Sequence, residues 1–103
     1  MTDPYDSPIT GAAQRRHAPR HKMFEPVALT LRGAELRAHF LDLSSTGALV
    51  HCEVPPNAGS YVIIHALDLE TSGRVKWAKG KRFGIQFSQP LTQAMMDVLI
   101  RQG

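Results

Sequence analysis

A two-residue alternation of apolar and polar side chains is the feature that most constrains how this chain can fold. Apolar residues occupy every second position of residues 27–31 and 36–40. Such alternation is typical of a strand with one face in a core and the other in water. Four further segments have strand character: residues 48–52, 61–66, 72–77 and 82–87. Six short strands predict an all-β fold, a small six-stranded antiparallel barrel, because closure leaves no exposed edge strand.

The last part of the chain has a different period. After Pro90, four apolar residues fall on one face of a helix over residues 92–101: Leu91, Met95, Val98 and Leu99. We expect this C-terminal helix to cover one end of the barrel. The two methionines beside the stripe would also suit an adaptable binding surface, but covering the barrel is the simpler interpretation.

The length and composition favour a single small domain. The 103 residues have room for one modest core, so we expect a flexible tail over residues 1–13 and one domain over residues 14–103. Cys52 is the only cysteine, which excludes an intrachain disulfide. No apolar run approaches the roughly 20 residues of a membrane span, and no signal-peptide pattern opens the chain. We therefore predict a cytoplasmic monomer without membrane insertion.

A basic segment precedes the first predicted strand. Residues 14–22 carry four cations and no acid, among them Arg15, Arg16 and Arg20. Pro19 prevents a continuous helix here, so the segment is predicted to be a flexible, extended N-terminal arm. A local basic patch favours an anionic partner. A solvated arm with no partner is the alternative interpretation.

A polar turn separates the second and third predicted strands. It contains Asp42, Ser44 and Gly47 at the spacing Asp-x-Ser-x-x-Gly. Alone, the aspartate and serine could simply cap a local turn. Together with the basic segment they supply what a guanine nucleotide needs. Arginine can bind phosphate or the guanine O6/N7 edge and stack on the purine, while a carboxylate can accept from the guanine N1–H and amine groups.

With these motifs the chain resembles the PilZ domain family, the bacterial receptors for cyclic di-GMP. Arg16 and Arg20 match the family's Arg-x-x-x-Arg motif, and the Asp42–Gly47 turn matches its Asp/Asn-x-Ser-x-x-Gly motif. Residues 73–77 and 82–87 are also similar to the family's later strands, so the resemblance covers about residues 14–101. It implies a cyclic di-GMP sensor that orders its arginine arm on the ligand and signals to a downstream protein. The ligand-binding residues it implies are Arg16, Arg20, Asp42, Ser44 and Gly47.

Three further residues refine this expectation. Arg15 adds a third guanidinium beside the motif, which predicts two cyclic di-GMP molecules per chain; a solvated Arg15 and one ligand is the alternative. Trp77 either packs in the core or rim, or forms an additional wall of the nucleotide site. Thr46 stands where family members often have glycine, and a β-branched residue would be costly there if the position needs a positive φ.

Other functions have weaker support. No catalytic triad, phosphate-cradling glycine loop or paired acids in a cleft are present, so we expect no enzyme activity, no catalytic residues and no cofactor. His17 and His21 have helical metal-pair spacing but Pro19 lies between them, and the other histidines are on separate strands, so we expect no metal site. Two alternatives stay open. One is a small basic barrel that binds nucleic acid, against which stand the few, mostly inward-facing aromatic residues. The other is a ligand-free adaptor for another protein, against which stand the intact motifs.

Overall fold

The computed structural model describes residues 19–102 as a closed, six-stranded antiparallel barrel followed by one helix. The predicted fold class is therefore confirmed. The elements are β1 (His21–Leu31), β2 (Ala34–Leu43), β3 (Gly47–Cys52), β4 (Tyr61–Ala66), β5 (Leu69–Lys79), β6 (Arg82–Phe87) and α1 (Gln93–Gln102). The predicted tail over residues 1–13 and the arm as far as Ala18 lie outside the described residues.

The strands follow the order β1-β2-β3-β6-β5-β4, and pairing of β1 with β4 closes the barrel. Tight turns set the register of the two hairpins that matter most for the site. Arg32 and Gly33 join β1 to β2 with φ of 51° and 83°, and positive φ at both central residues is the mark of a type I′ turn. Gly80, with φ of 62°, opens the turn between β5 and β6. This second turn lies where the Lys-Gly-Lys sequence predicts it.

The alternating apolar residues point into the barrel, as the two-residue period predicts. Their side chains form one continuous core, and the largest fully buried ones include Phe40, Phe83, Leu29 and Ile64. Fully burying a side chain of this size stabilises a fold by roughly 1.5–3 kcal/mol. The core therefore holds the barrel together, and the polar residues between are left on the outer face.

Helix α1 covers the barrel with a slightly different face from the predicted one. Leu91, Met96 and Leu99 join the barrel core, whereas Val98 is 39% exposed. The buried face of the helix therefore includes Met96 and leaves Val98 partly exposed. No helix in residues 19–102 has the length and apolar character needed to cross a bilayer.

Two strands begin earlier than the alternation predicts. β1 starts at His21 because the last residues of the basic segment pair with the end of β2, His21 opposite Leu43. β5 starts at Leu69 because a two-residue turn at Leu67 and Asp68 lets it pair directly with β4. That turn contains no glycine or asparagine, and Leu67 itself adopts a φ of 56°.

Candidate ligand-binding site

The structure brings the end of the basic segment against the polar turn. Arg20 immediately precedes β1, and the β1–β2 register sets Lys22 opposite Asp42 near the end of β2. As a result, Nη2 of Arg20 lies 3.2 Å from Oδ1 of Asp42. One residue of each sequence motif thus meets the other across the first hairpin.

Asp42 is poised for a further partner. Its side chain is only 19% exposed, while that of Arg20 is 56% exposed. Within the described residues, Oδ1 of Asp42 is shielded from solvent and has no hydrogen-bond partner, since the Arg20 guanidinium approaches it without aligned N–H geometry. A shielded carboxylate oxygen without a donor is destabilising. Buried polar atoms are nearly always paired, so this oxygen stands out among the described residues.

Ser44 organises the turn itself. Its side chain is 1% exposed, and its Oγ accepts from the backbone N–H groups of Gly47 at 3.1 Å and Thr46 at 3.3 Å. The same hydroxyl donates to the carbonyl oxygen of Gly47 at 3.2 Å. One O–H and two lone pairs are all that a serine offers. Ser44 is thereby committed to the turn, where it positions the residues on either side.

Thr46 fits this turn without strain. In the stretch that the structure describes, Arg32 and Leu67 are the only non-glycine residues with a left-handed φ. The cost that a positive φ would impose on Thr46 therefore does not arise. Its hydroxyl lies 3.3 Å from that of Ser44, so the threonine adds a polar contact to the turn.

Gly47 is required by the neighbouring strand. A Cβ at this position would collide with the backbone carbonyl oxygen of Ile85 on β6. The sequence indicates a close approach at this glycine, and the structure identifies the approaching group as protein backbone. Gly47 thus allows β3 to pair tightly with β6, which fixes the end of the turn.

The turn is also tied to the segment that leads into α1. The backbone N–H of Phe87 donates to the carbonyl of Thr46 at 2.9 Å, and that of Leu91 donates to the carbonyl of Ser45 at 2.7 Å. Any movement of the turn therefore acts directly on the residues that precede the helix.

A shelf on the outer face of the barrel leads from Asp42 to Trp77. In the strand register, Asp42 pairs with Leu49, Leu49 with Gly84, and Gly84 with Trp77. A Cβ at Gly84 would collide with the Trp77 indole, so the ring lies over the glycine. Trp77 is 46% exposed and therefore outside the core. It borders the same outer face as the carboxylate, two strands away from Leu49.

The comparisons with known proteins agree with this architecture. The sequence matches the PilZ domain family over residues 14–102. The chain belongs to the PilZ domain family. Among curated proteins, none matches the sequence.

Among solved structures, the PilZ chain is similar to the Bacillus subtilis inhibitor of motility (MotI/DgrA). The identity is 17%, the TM-score is 0.65, and the match covers 87% of this chain and 50% of that one. The chain thus spans about half the length of that protein. At this level of identity the likeness concerns the fold alone.

The predicted site residues of this PilZ domain are distributed unevenly over the structure. Arg20, Asp42, Ser44 and Gly47 come together at one end of the barrel. Arg15 and Arg16 lie outside the described residues. Trp77 lies at the other end of the shelf that begins at Asp42.

Sequence reasoning missed two residues of this region. Lys22 is opposite Asp42 in the ladder and adds a cation, and Leu49 forms the floor between the carboxylate and Trp77. An outward-facing leucine in the period-two pattern is the signal that could have indicated this floor. Across residues 19–102, no three His, Cys, Asp or Glu side chains converge on a metal position.

Proposed function

We propose that this PilZ domain is a cyclic di-GMP receptor whose ligand contacts Arg20 and Asp42, with Arg15 and Arg16 reaching the same ligand from the basic arm. The observation that supports it best is the 3.2 Å approach of Arg20 to Oδ1 of Asp42, a shielded carboxylate oxygen without a hydrogen-bond partner among residues 19–102. A donor-rich, anionic ligand matches both groups, and a guanine nucleotide has both properties.

The chemistry assigns each group a role. The Asp42 carboxylate accepts from the guanine N1–H and exocyclic amine, a donor edge that adenine lacks. The Arg20 guanidinium binds phosphate oxygens or the guanine O6/N7 edge, and its plane can stack on the purine. A charge-assisted hydrogen bond contributes roughly 1.5–3 kcal/mol. A few such bonds account for micromolar affinity, about −8 kcal/mol.

The same geometry would allow ligand binding to change the surface that a downstream protein contacts. A surface groove of about 310 Å³ joins the arm, the turn and the helix, and its lining includes Pro19, Ser45 and Met96. A ligand that draws the arginine arm over the turn would alter this groove and the hydrogen bond from Leu91 to Ser45. The receptor would then present a changed surface to a downstream protein. In this role the domain acts as a sensor and not as an enzyme.

Calorimetric titration tests the proposal with cyclic di-GMP, GMP and cyclic di-AMP at two salt concentrations. We expect low-micromolar or tighter binding of cyclic di-GMP, with GMP and cyclic di-AMP much weaker. Binding in this pocket should depend modestly on salt, whereas a general polyanion surface would weaken steeply. No heat and no thermal shift at high micromolar cyclic di-GMP would refute the proposal.

A matched pair of variants locates the ligand. Arg20→Ala should weaken cyclic di-GMP by about 2 kcal/mol or more, roughly thirtyfold, with the melting temperature of the free protein nearly unchanged. Arg37→Ala removes an exposed cation from the middle of β2 and should leave the affinity within about twofold. Equal losses in the two variants would exclude the assigned position.

A further inference from the structure

A second polar groove lies on the outer face of the barrel, where β4, β5 and β6 run side by side. Its volume is about 200 Å³. The side chains that line it are Tyr61, Arg74, Lys76, Gln86, Phe87 and Ser88. None of these belongs to the two sequence motifs of the proposed nucleotide site.

The strand register connects this groove to the Asp42–Gly47 turn. Gly47 pairs with Gln86, Gln86 with Arg74, and Arg74 with Tyr61. Neighbouring strands are about 4.8 Å apart, so the Arg74 backbone lies roughly 10 Å from Gly47 across the sheet. The groove therefore lies beside the turn, across the sheet from Gly47. The row of paired residues that connects them is next to the row that runs from Asp42 to Trp77.

The groove is positively charged, and no described carboxylate pairs with its cations. Arg74 and Lys76 are both exposed, and no carboxylate in the described part of the chain lies within 4.0 Å of either. A bulge between Val75 and Trp77 inserts Lys76 as an extra residue in β5. Side chains two residues apart on a strand lie on the same face, and Arg74 and Lys76 both line this groove. Glu70 lines a separate groove of about 500 Å³ on the other side of Tyr61.

Hydroxyl groups complete the lining. Oγ of Ser72 lies 3.1 Å from Oγ of Ser88, and both hydroxyls lie next to Tyr61. Hydrogen bonds from Ser72 and Ser88, and then the charge of Arg74, hold the pKa of the Tyr61 phenol below its usual value. The surroundings of that oxygen thus favour negative charge. An incoming anion would meet the same donors and the same cation.

We propose that this groove is a second anion-binding site, which takes a phosphate group on the forked guanidinium of Arg74 with Lys76, Gln86 and Ser88 as supporting donors. Arginine suits this role because its planar fork matches two phosphate oxygens at once. The phosphate could belong to the proposed dinucleotide, extending from the turn, or to a separate phosphorylated molecule. Both sources would present the same phosphate chemistry to Arg74. Only the first would make the affinity for cyclic di-GMP depend on Arg74.

Inorganic pyrophosphate is the probe, and the amide resonances of the full-length ¹⁵N-labelled protein are the readout. We expect saturable shifts of the Gln86 side-chain amide and the Ser88 backbone amide. Arg74→Ala should weaken pyrophosphate by roughly tenfold or more, and Arg74→Lys, which keeps the charge and loses the fork, by less. Arg82→Ala is the matched control, because Arg82 is an exposed arginine on β6 that does not line the groove.

A cyclic di-GMP titration of Arg74→Ala distinguishes the two sources. A large loss of cyclic di-GMP affinity would mean that its phosphate occupies the groove, and an unchanged affinity would mean a separate phosphorylated ligand. The pyrophosphate result stands even if cyclic di-GMP fails to bind, so this inference and the proposed function can fail separately. Absence of shifts at Gln86 and Ser88, or an equal loss in Arg82→Ala, would overturn the inference.

Discussion

Replacing Asp42 with alanine should stabilise the free protein while it removes ligand binding. The reason is the buried Oδ1, which has no hydrogen-bond partner among the described residues and only an off-axis arginine 3.2 Å away. Under the proposed function, a carboxylate held in this way serves a ligand at the expense of the fold. Such trade-offs are expected at binding sites and unexpected at structural ones.

The magnitude follows from two opposing contributions. An unsatisfied buried polar group costs about 1–3 kcal/mol. The ion pair with Arg20 returns only about 0–1 kcal/mol, because the Arg20 side chain is 56% exposed and its charge is screened by water. After Asp42→Ala the guanidinium can hydrate freely, so the net gain in unfolding free energy is about 1 kcal/mol. For a domain of this size that corresponds to a rise of roughly 4–8 °C in melting temperature.

Thermal unfolding followed by circular dichroism measures the shift, with calorimetry on the same samples for cyclic di-GMP. Glu35→Ala, an exposed carboxylate near the start of the same strand, is the control and should change stability by less than about 0.5 kcal/mol. A fall of several degrees in Asp42→Ala would show that the carboxylate supports the fold. Retained cyclic di-GMP binding in the variant would show that it does not serve the ligand.

Three further predictions address the turn, the arm and an exterior ion pair. Gly47→Ala should destabilise the protein by about 1–3 kcal/mol in denaturant unfolding, because its Cβ would collide with the Ile85 carbonyl; an unchanged midpoint would contradict the close β3–β6 pairing. Arg15→Leu should reduce the calorimetric stoichiometry from about two cyclic di-GMP per chain to about one, by removing a stacking plane and a positive charge; a wild-type value of one would refute this. Glu53 and Lys81 lie 2.8 Å apart, and the hydrogen bond and charge of Lys81 lower the pKa of Glu53. The ion pair therefore contributes to stability near neutral pH, and this contribution is lost as the pH falls through the lowered pKa of Glu53. Glu53→Gln should lower the melting temperature near neutral pH and not in acid. An equal loss at both pH values would exclude the ion pair as the cause.

The barrel could be predicted from the sequence because its strands alternate clearly and its turns carry glycine. The β5–β6 hairpin is an example, since Gly80 supplies a φ of 62° where the Lys-Gly-Lys sequence requires it. The turn between β4 and β5 could not be predicted, because Leu67 adopts a left-handed φ that leucine rarely takes. The pairing of β5 with β4 imposes this left-handed φ on Leu67. No local sequence pattern predicts it.

The sequence predicts which residues meet at the candidate site, but not which contacts each of them makes there. The meeting of Arg20 with Asp42 follows from the two motifs and the hairpin between them. The full use of the Ser44 hydroxyl within its own turn, and the contact of Gly47 with Ile85, depend on three-dimensional placement. Both residues therefore act within the turn, and the proposed ligand contacts fall to Arg20 and Asp42.

The most direct test of the proposed site is a titration of the ¹⁵N-labelled protein with cyclic di-GMP, following the backbone amides and the Trp77 indole N–H. We predict saturable shifts concentrated at Arg20 and at residues 42–47, with a smaller shift at the indole. The hairpin turn at Arg32 and Gly33, at the far end of β1 and β2, should not respond. Shifts concentrated at that far turn, or no shifts at high micromolar ligand, would contradict a cyclic di-GMP site built on Arg20 and Asp42.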